Sequence, residues 1–186
     1  MVEEDLHRIP RRGWHELPFK GRKDEWLTPP EIISALTKKP FGEFDLDPCS
    51  PIVRPWPTAK KHYTIKDDGL FQPWEGRVWM NPPYGPQTKE WMAKFSEHGN
   101  GCALIFARTE TNIFFKYVWN KADGVLFLKG RLCFYNVDGT KGRSAAPSPS
   151  VLVAYGEQNV DCIFSSGING QGIILHDKRY VGYLSS

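Results

Sequence analysis

Apolar residues recur along this chain with two different spacings, and each change of spacing marks a change of element. Ile32, Ile33 and Leu36 fall on one face of a helix. Its start reads from Trp26-Leu27-Thr28-Pro29-Pro30-Glu31, with Thr28 as N-cap, Pro29 as the first helical residue and Glu31 as partner in a capping box. Lys38-Lys39-Pro40 ends it. Phe44 to Ser50 reads as a short strand running into an acidic turn at Asp47-Pro48. Residues 51–66 are rich in proline and basic residues and read as a loop. The run Arg77-Val78-Trp79-Met80 is a strand that delivers Asn81-Pro82-Pro83-Tyr84. Beyond it, Trp91, Met92 and Phe95 predict a helix over 88–98 closed by Gly99, and Cys102 to Ala107 predicts a buried strand. A second helix is expected over 111–119 with Phe114, Phe115 and Val118 inward. Further strands are expected at 124–128, 131–135 and 150–155, and 167–175 reads as a possible added edge strand. This succession predicts one α/β domain with a largely parallel twisted sheet, helices on its flanks and right-handed crossovers.

Composition narrows the class. At 186 residues the chain suits a single compact core. A net charge of +3 permits a polyanionic partner without requiring one, and seven Trp, seven Tyr and eleven Phe favour stacking surfaces as well as core packing. Cys49, Cys102, Cys133 and Cys162 are widely spaced and show no zinc-ligand pattern, so no metal is expected. No signal peptide stands out, and no apolar run reaches the roughly 18 residues of a membrane span. A reduced, cytoplasmic, soluble protein with no membrane partner is the expectation, its oligomeric state open. Residues 1–24 carry Arg8, Arg11, Arg12, Lys20, Arg22 and Lys23 and read as a basic tail, either merely solvated or lying over phosphates.

The chemistry gathers at residues 81–84. Two consecutive prolines fix φ near −65° and hold the residue before them extended, so the turn is stiff and rich in acceptors. Such a turn can hold a planar amino group. An exocyclic amine of adenine or cytosine is a poor nucleophile because its lone pair is delocalised into the ring. Acceptance of its two hydrogens by the Asn81 side-chain oxygen and the Pro82 carbonyl would draw the nitrogen towards a tetrahedral geometry. Tyr84 would stack on the base, a contact worth about 1–3 kcal/mol. The plain alternative is a rigid turn with Tyr84 capping the core. Asp47 at a strand end is either a turn former or a ligand group, and no GxGxxG follows it. Asp67-Asp68-Gly69-Leu70 is either a β-turn or a clasp for an adenine ring. Trp26, Thr28 and Pro29 could shape a pocket besides opening a helix. The basic excursion 136–148 would overhang the same sheet edge as Asn81, making Lys141 and Arg143 candidate phosphate contacts. Arg108 and Arg131 are candidates near the site, or partners of core-edge carboxylates.

Trp26-Leu27-Thr28-Pro29, Phe44-Asp45-Leu46-Asp47-Pro48, Asp67-Asp68-Gly69-Leu70, Asn81-Pro82-Pro83-Tyr84 and Gly130-Arg131-Leu132-Cys133-Phe134 stand in an order that resembles the phage-type Dam family of DNA N6-adenine methyltransferases. The likeness spans about residues 24–155. It implies a Rossmann-like class I fold, S-adenosylmethionine as methyl donor and duplex DNA as substrate. It also implies a catalytic domain over 25–155, a C-terminal extension over 156–186, and residence in the cytoplasm, that of a bacterial host if the gene is phage-borne. By the same likeness Trp26, Thr28, Pro29, Asp47, Pro48, Asp68 and Leu70 map to the cofactor site, and Asn81, Pro82, Pro83 and Tyr84 to methyl transfer. The central tetrapeptide is shared with methyltransferases acting on cytosine N4, RNA bases or protein amides. Those acceptors remain alternatives, as does a non-catalytic nucleic-acid-binding protein of the same fold.

Overall fold

The computed structural model describes residues 26–175. A seven-stranded sheet runs through it: β1 (Leu46–Asp47), β2 (Lys61–His62), β3 (Val78–Met80), β4 (Gly101–Phe106), β5 (Gly124–Leu128), β6 (Ser150–Tyr155) and β7 (Gly170–Ile174), in spatial order β2-β1-β3-β4-β6-β5-β7. Helices α1 (Pro30–Leu36), α2 (Thr88–His98), α3 (Asn112–Phe114, continued by a π-helical turn over Phe115–Trp119) and α4 (Glu157–Ser165) cover both faces.

Alternation along the strands builds two cores. Trp79, Cys102, Leu104, Leu126, Leu152 and Ala154 face α1 and α4, where Ile32, Leu36, Val160 and Ile163 meet them. Val78, Met80, Ala103, Ile105, Val125 and Val153 face α2 and α3, against Trp91, Phe95, Phe114 and Val118. Continuous apolar runs such as Cys102–Ile105 arise because both sides of the strand are covered.

The sheet is parallel over only half its width. The β2-β1-β3-β4 half is parallel, and the pairs β4–β6, β6–β5 and β5–β7 are antiparallel. The expectation of a largely parallel sheet is corrected by residues 129–149. They leave β5 and re-enter β6 at the same end of the sheet, so β6 must run backwards, as antiparallel neighbours joined without a crossover do.

Local expectations fail where the tertiary structure competes. The first helix starts at Pro30 with Pro29 as cap residue and no side-chain capping bond. Leu27 is held extended by exchanging backbone hydrogen bonds with Tyr135, 2.8 and 3.1 Å, which moves the helix start past Thr28. The helix expected over 111–119 turns Phe115 outward and Tyr117 inward, because the π turn adds residues to each revolution. Residues 131–135 form no strand. They contribute single bridges, Tyr135 to Leu27 and Tyr135 to Lys141. Two elements had no expectation at all: β2, inside the segment read as loop, and α4.

Three of these elements set up the site. β1 feeds β2 on one side, and the chain then returns as β3 on the other side of β1. The crevice beyond the carboxyl ends of β1 and β3 is therefore a topological switch point, where open α/β sheets bind ligands. Asp47 and Asn81 stand at those two ends.

Candidate active site

Asn81 follows β3 directly, and every polar atom of its side chain has a partner. Its Nδ2 donates to the Trp26 carbonyl at 3.1 Å, and its Oδ1 accepts the Tyr84 hydroxyl at 3.1 Å. The Asn81 backbone carbonyl accepts the Cys49 thiol at 3.3 Å. The Thr88 hydroxyl donates to the Pro83 carbonyl at 3.0 Å and accepts Gly85 N–H at 3.1 Å, which stiffens the exit of the turn into α2. Pro82 is buried, and its carbonyl accepts no hydrogen bond among the described residues. Tyr84 is half-buried. Its ring lies flat on Phe106, centroids 3.9 Å and planes 12° apart, with Phe134 edge-on at 6.1 Å. Burial pushes the Tyr84 phenol up, so it stays a donor at neutral pH.

The end of β1 is built around a buried carboxylate. Asp47 accepts Cys49 N–H at 3.1 Å on one oxygen and the Thr58 hydroxyl on the other. Thr58 is positioned in turn by His62, whose Nε2 accepts the N–H groups of Thr58 and Ala59 at 3.2 and 3.4 Å. That role needs a neutral ring, and burial brings His62 down to about 4. Burial pushes the Asp47 carboxyl up to about 6, against the pull of its hydrogen bonds. Both oxygens of Asp47 thus face the protein, and what this residue does first is shape the turn that carries Cys49 to Asn81.

The raised Asp47 pKa has a thermodynamic sign. Between its ordinary value and about 6 the folded chain holds a proton that the unfolded chain has lost, so ionisation of Asp47 erodes stability as pH rises through that window. Asp47→Asn keeps an acceptor for Cys49 and offers an amide to the Thr58 hydroxyl. Urea unfolding is expected to show the variant equal to wild type near pH 4 and more stable at pH 8, by up to about 3 kcal/mol. His62 acts with the opposite sign over nearly the same range and cancels in the difference between the two proteins. Equal stability at both pH values would refute the assignment.

The turn at 67–70 closes against this site. A Cβ on Gly69 would strike the Pro48 carbonyl oxygen and the Trp91 ring, so only glycine lets the two segments meet. The preceding Asp68 has φ +54°, a left-handed conformation that Asp tolerates better than most residues, and its side chain is exposed. Lys94 pins the turn by donating to the carbonyls of Leu70 and Gln72, both at 2.6 Å, and Trp74 Nε1 donates to Gly69 O at 2.8 Å. Trp26 is exposed with its ring tilted against Phe134 at 6.4 Å, while Thr28 and Pro29 are buried beside it.

The basic candidates spread along the same edge. Arg108 is exposed just past β4, its guanidinium 5.9 Å from the Phe106 ring centre. Lys141 and Arg143 are exposed on the excursion 136–148, whose turn is tied by Asp138 accepting Thr140 N–H at 2.8 Å and which is anchored beside Trp26 through Tyr135. Arg131 donates one N–H to the Ala146 carbonyl at 3.0 Å and so closes the base of that excursion, with no carboxylate partner among the described residues. Cys49, Phe106 and Thr58 were not singled out by the sequence. Only their proximity in the fold brings them to Asn81 and Asp47. The basic tail 1–24 lies outside the described residues.

A family model described as DNA N-6-adenine-methyltransferase (Dam) matches residues 17–173. The chain belongs to the Dam family. It is a DNA N6-adenine methyltransferase. No curated protein and no solved structure matches it. Among the described residues of this Dam-family chain no group of three or more His, Cys, Asp or Glu side chains could hold a metal ion, and no helix is long and apolar enough to cross a membrane.

Proposed function

We propose that this Dam-family enzyme uses S-adenosylmethionine to methylate adenine N6 in duplex DNA, working in the cytoplasm with the target base extruded into the crevice beyond the carboxyl ends of β1 and β3. The observation that carries the reading is the position of Asn81-Pro82-Pro83-Tyr84 at the end of β3, across the switch point from Asp47. A strand order that reverses at β1 and a single backward strand between β4 and β5 support a Rossmann-like class I methyltransferase fold.

The residues present fit such a cofactor. It carries a cationic sulfonium, an adenine and a ribose but no phosphate, so a glycine-rich anion cradle is not called for. The exposed Asp68 carboxylate suits hydroxyl or amino hydrogens, and half-buried Leu70 and the exposed Trp26 ring offer apolar faces, backed by the buried Pro29 and Pro48. Thr28 and Asp47 support that wall from inside. When bound, the cofactor supplies an electrophilic methyl group. The protein's part is to orient the amine: Asn81 Oδ1 and the free Pro82 carbonyl accept its hydrogens while Tyr84 covers a face of the base. No base is needed before attack, because the amine becomes acidic only as the new bond forms. Alignment of this kind lowers a barrier by several kcal/mol, roughly 7–11 at its upper range. Arg108, Arg131, Lys141 and Arg143 are exposed and would meet phosphates on this reading.

The test is methyl transfer from labelled cofactor to plasmid duplex, followed by nucleoside analysis. Label in N6-methyladenine is the expected result. Label in N4-methylcytosine, or transfer to RNA or protein but not to DNA, would overturn the reading.

A further inference from the structure

We propose that Tyr84 competes with the target base for Asn81, and that Phe106 is the positioning residue that holds Tyr84 in the competing state. The inference rests on the reading of Asn81 Oδ1 as the acceptor of the target amine. In the structure that oxygen already has a donor, the Tyr84 hydroxyl at 3.1 Å. The same hydroxyl leans on the Leu104 carbonyl at 3.5 Å. A planar aromatic ring therefore presents an O–H to Asn81 where a planar base would present an N–H.

The ring is kept there by packing. Its flat, 3.9 Å stack on Phe106 is the closest aromatic pairing among the described residues, and Phe134 bounds it from the side. Phe106 is the last residue of β4, paired across the sheet with Ser150 on β6, so its platform is fixed by two central strands. Tyr84 in contrast sits on the turn before α2, between Pro83 and Gly85, where a change of side-chain rotamer disturbs no ladder hydrogen bond. While Tyr84 is latched, its hydroxyl takes one of the two lone pairs of Asn81 Oδ1 and Phe106 takes one face of its ring, so an entering base must displace contacts already made. On this proposal the apparent affinity for DNA is lowered by the fraction of molecules still latched.

The closing experiment measures KM for duplex DNA and kcat in Phe106→Leu and, separately, Tyr84→Phe. Leucine fills the space without the ring stack, and phenylalanine keeps the stack without the hydroxyl. Both are expected to lower KM for DNA by about twofold to tenfold, the range of an aromatic pair or one hydrogen bond, with kcat little changed in Phe106→Leu. Phe106→Tyr, which restores a ring, should return the wild-type KM. A KM that is unchanged or raised in Phe106→Leu overturns the proposal, as does the same result in Tyr84→Phe should the leucine variant not fold. A raised KM with lowered kcat would make Phe106 a base-stacking residue instead. Failure of the underlying reading looks different: wild type itself would place no methyl on adenine.

Discussion

Asn81→Ala is expected to lose at least about a hundredfold in kcat for methyl transfer to DNA while retaining cofactor binding. Removal of one preorganised polar partner of a reacting group costs that much or more elsewhere. Alanine removes Oδ1, the acceptor proposed for the amine, and Nδ2, the donor that ties the turn to the Trp26 carbonyl at 3.1 Å. Asn81→Asp separates the two contributions. A carboxylate still accepts a hydrogen but faces the Trp26 carbonyl with a second acceptor, so this variant should fall between wild type and alanine. Calorimetric titration with the cofactor and single-turnover assays with duplex DNA give both quantities. Wild-type turnover in Asn81→Ala would remove the role assigned to the side chain.

Arg77→Met is expected to destabilise the fold by about 3–5 kcal/mol in urea unfolding. Several buried acceptors lose their donor at once, each worth about 1–3 kcal/mol. Arg77 is 6% exposed, and its guanidinium meets Asn159 Oδ1 at 2.7 Å, the Gly42 carbonyl at 2.9 Å, the Leu36 carbonyl at 3.2 Å, Cys162 Sγ at 3.1 Å, and the Phe44 ring at 4.1 Å. Methionine keeps the stem and none of the donors. Natural domains hold about 5–15 kcal/mol in total, so the loss is a large share of the reserve. Asn159→Ala should be strongly non-additive with it, because the two residues share one bond. A change under about 1 kcal/mol would mean that water readily replaces the guanidinium. The network matters for catalysis as well. Arg77 enters β3 four residues before Asn81 and binds that strand to α1 and α4.

Neither Arg77 nor Asn159 was legible as a pair in the chain. They lie 82 residues apart, and Asn159 sits in a segment that the family likeness marks only as a C-terminal extension. The buried strands and α2 were legible, because continuous apolar runs and a glycine at the end of a helical spacing are local signals. Gly99 takes φ +70° at that helix end, as the pattern requires. The start of α1, β2, and the irregular course of 131–135 were not legible. Each is decided by a partner remote in sequence: Tyr135 for Leu27, Leu46 and Asp47 for Lys61 and His62, and the backward strand β6 for the whole excursion.

The same division holds at the site. The amino-acid order alone determined that a proline-braced Asn-Pro-Pro-Tyr turn leaves a buried strand, and that acidic turns precede it. Proline dihedrals and apolar runs are properties of a few neighbouring residues. Only the tertiary structure decided that Asp47 turns both oxygens inward to Thr58 and Cys49, and that the Asn81 acceptor is held by Tyr84 resting on Phe106. Whether a polar atom is free or engaged depends on which segments the fold brings within three or four ångströms, and no local pattern encodes that distance.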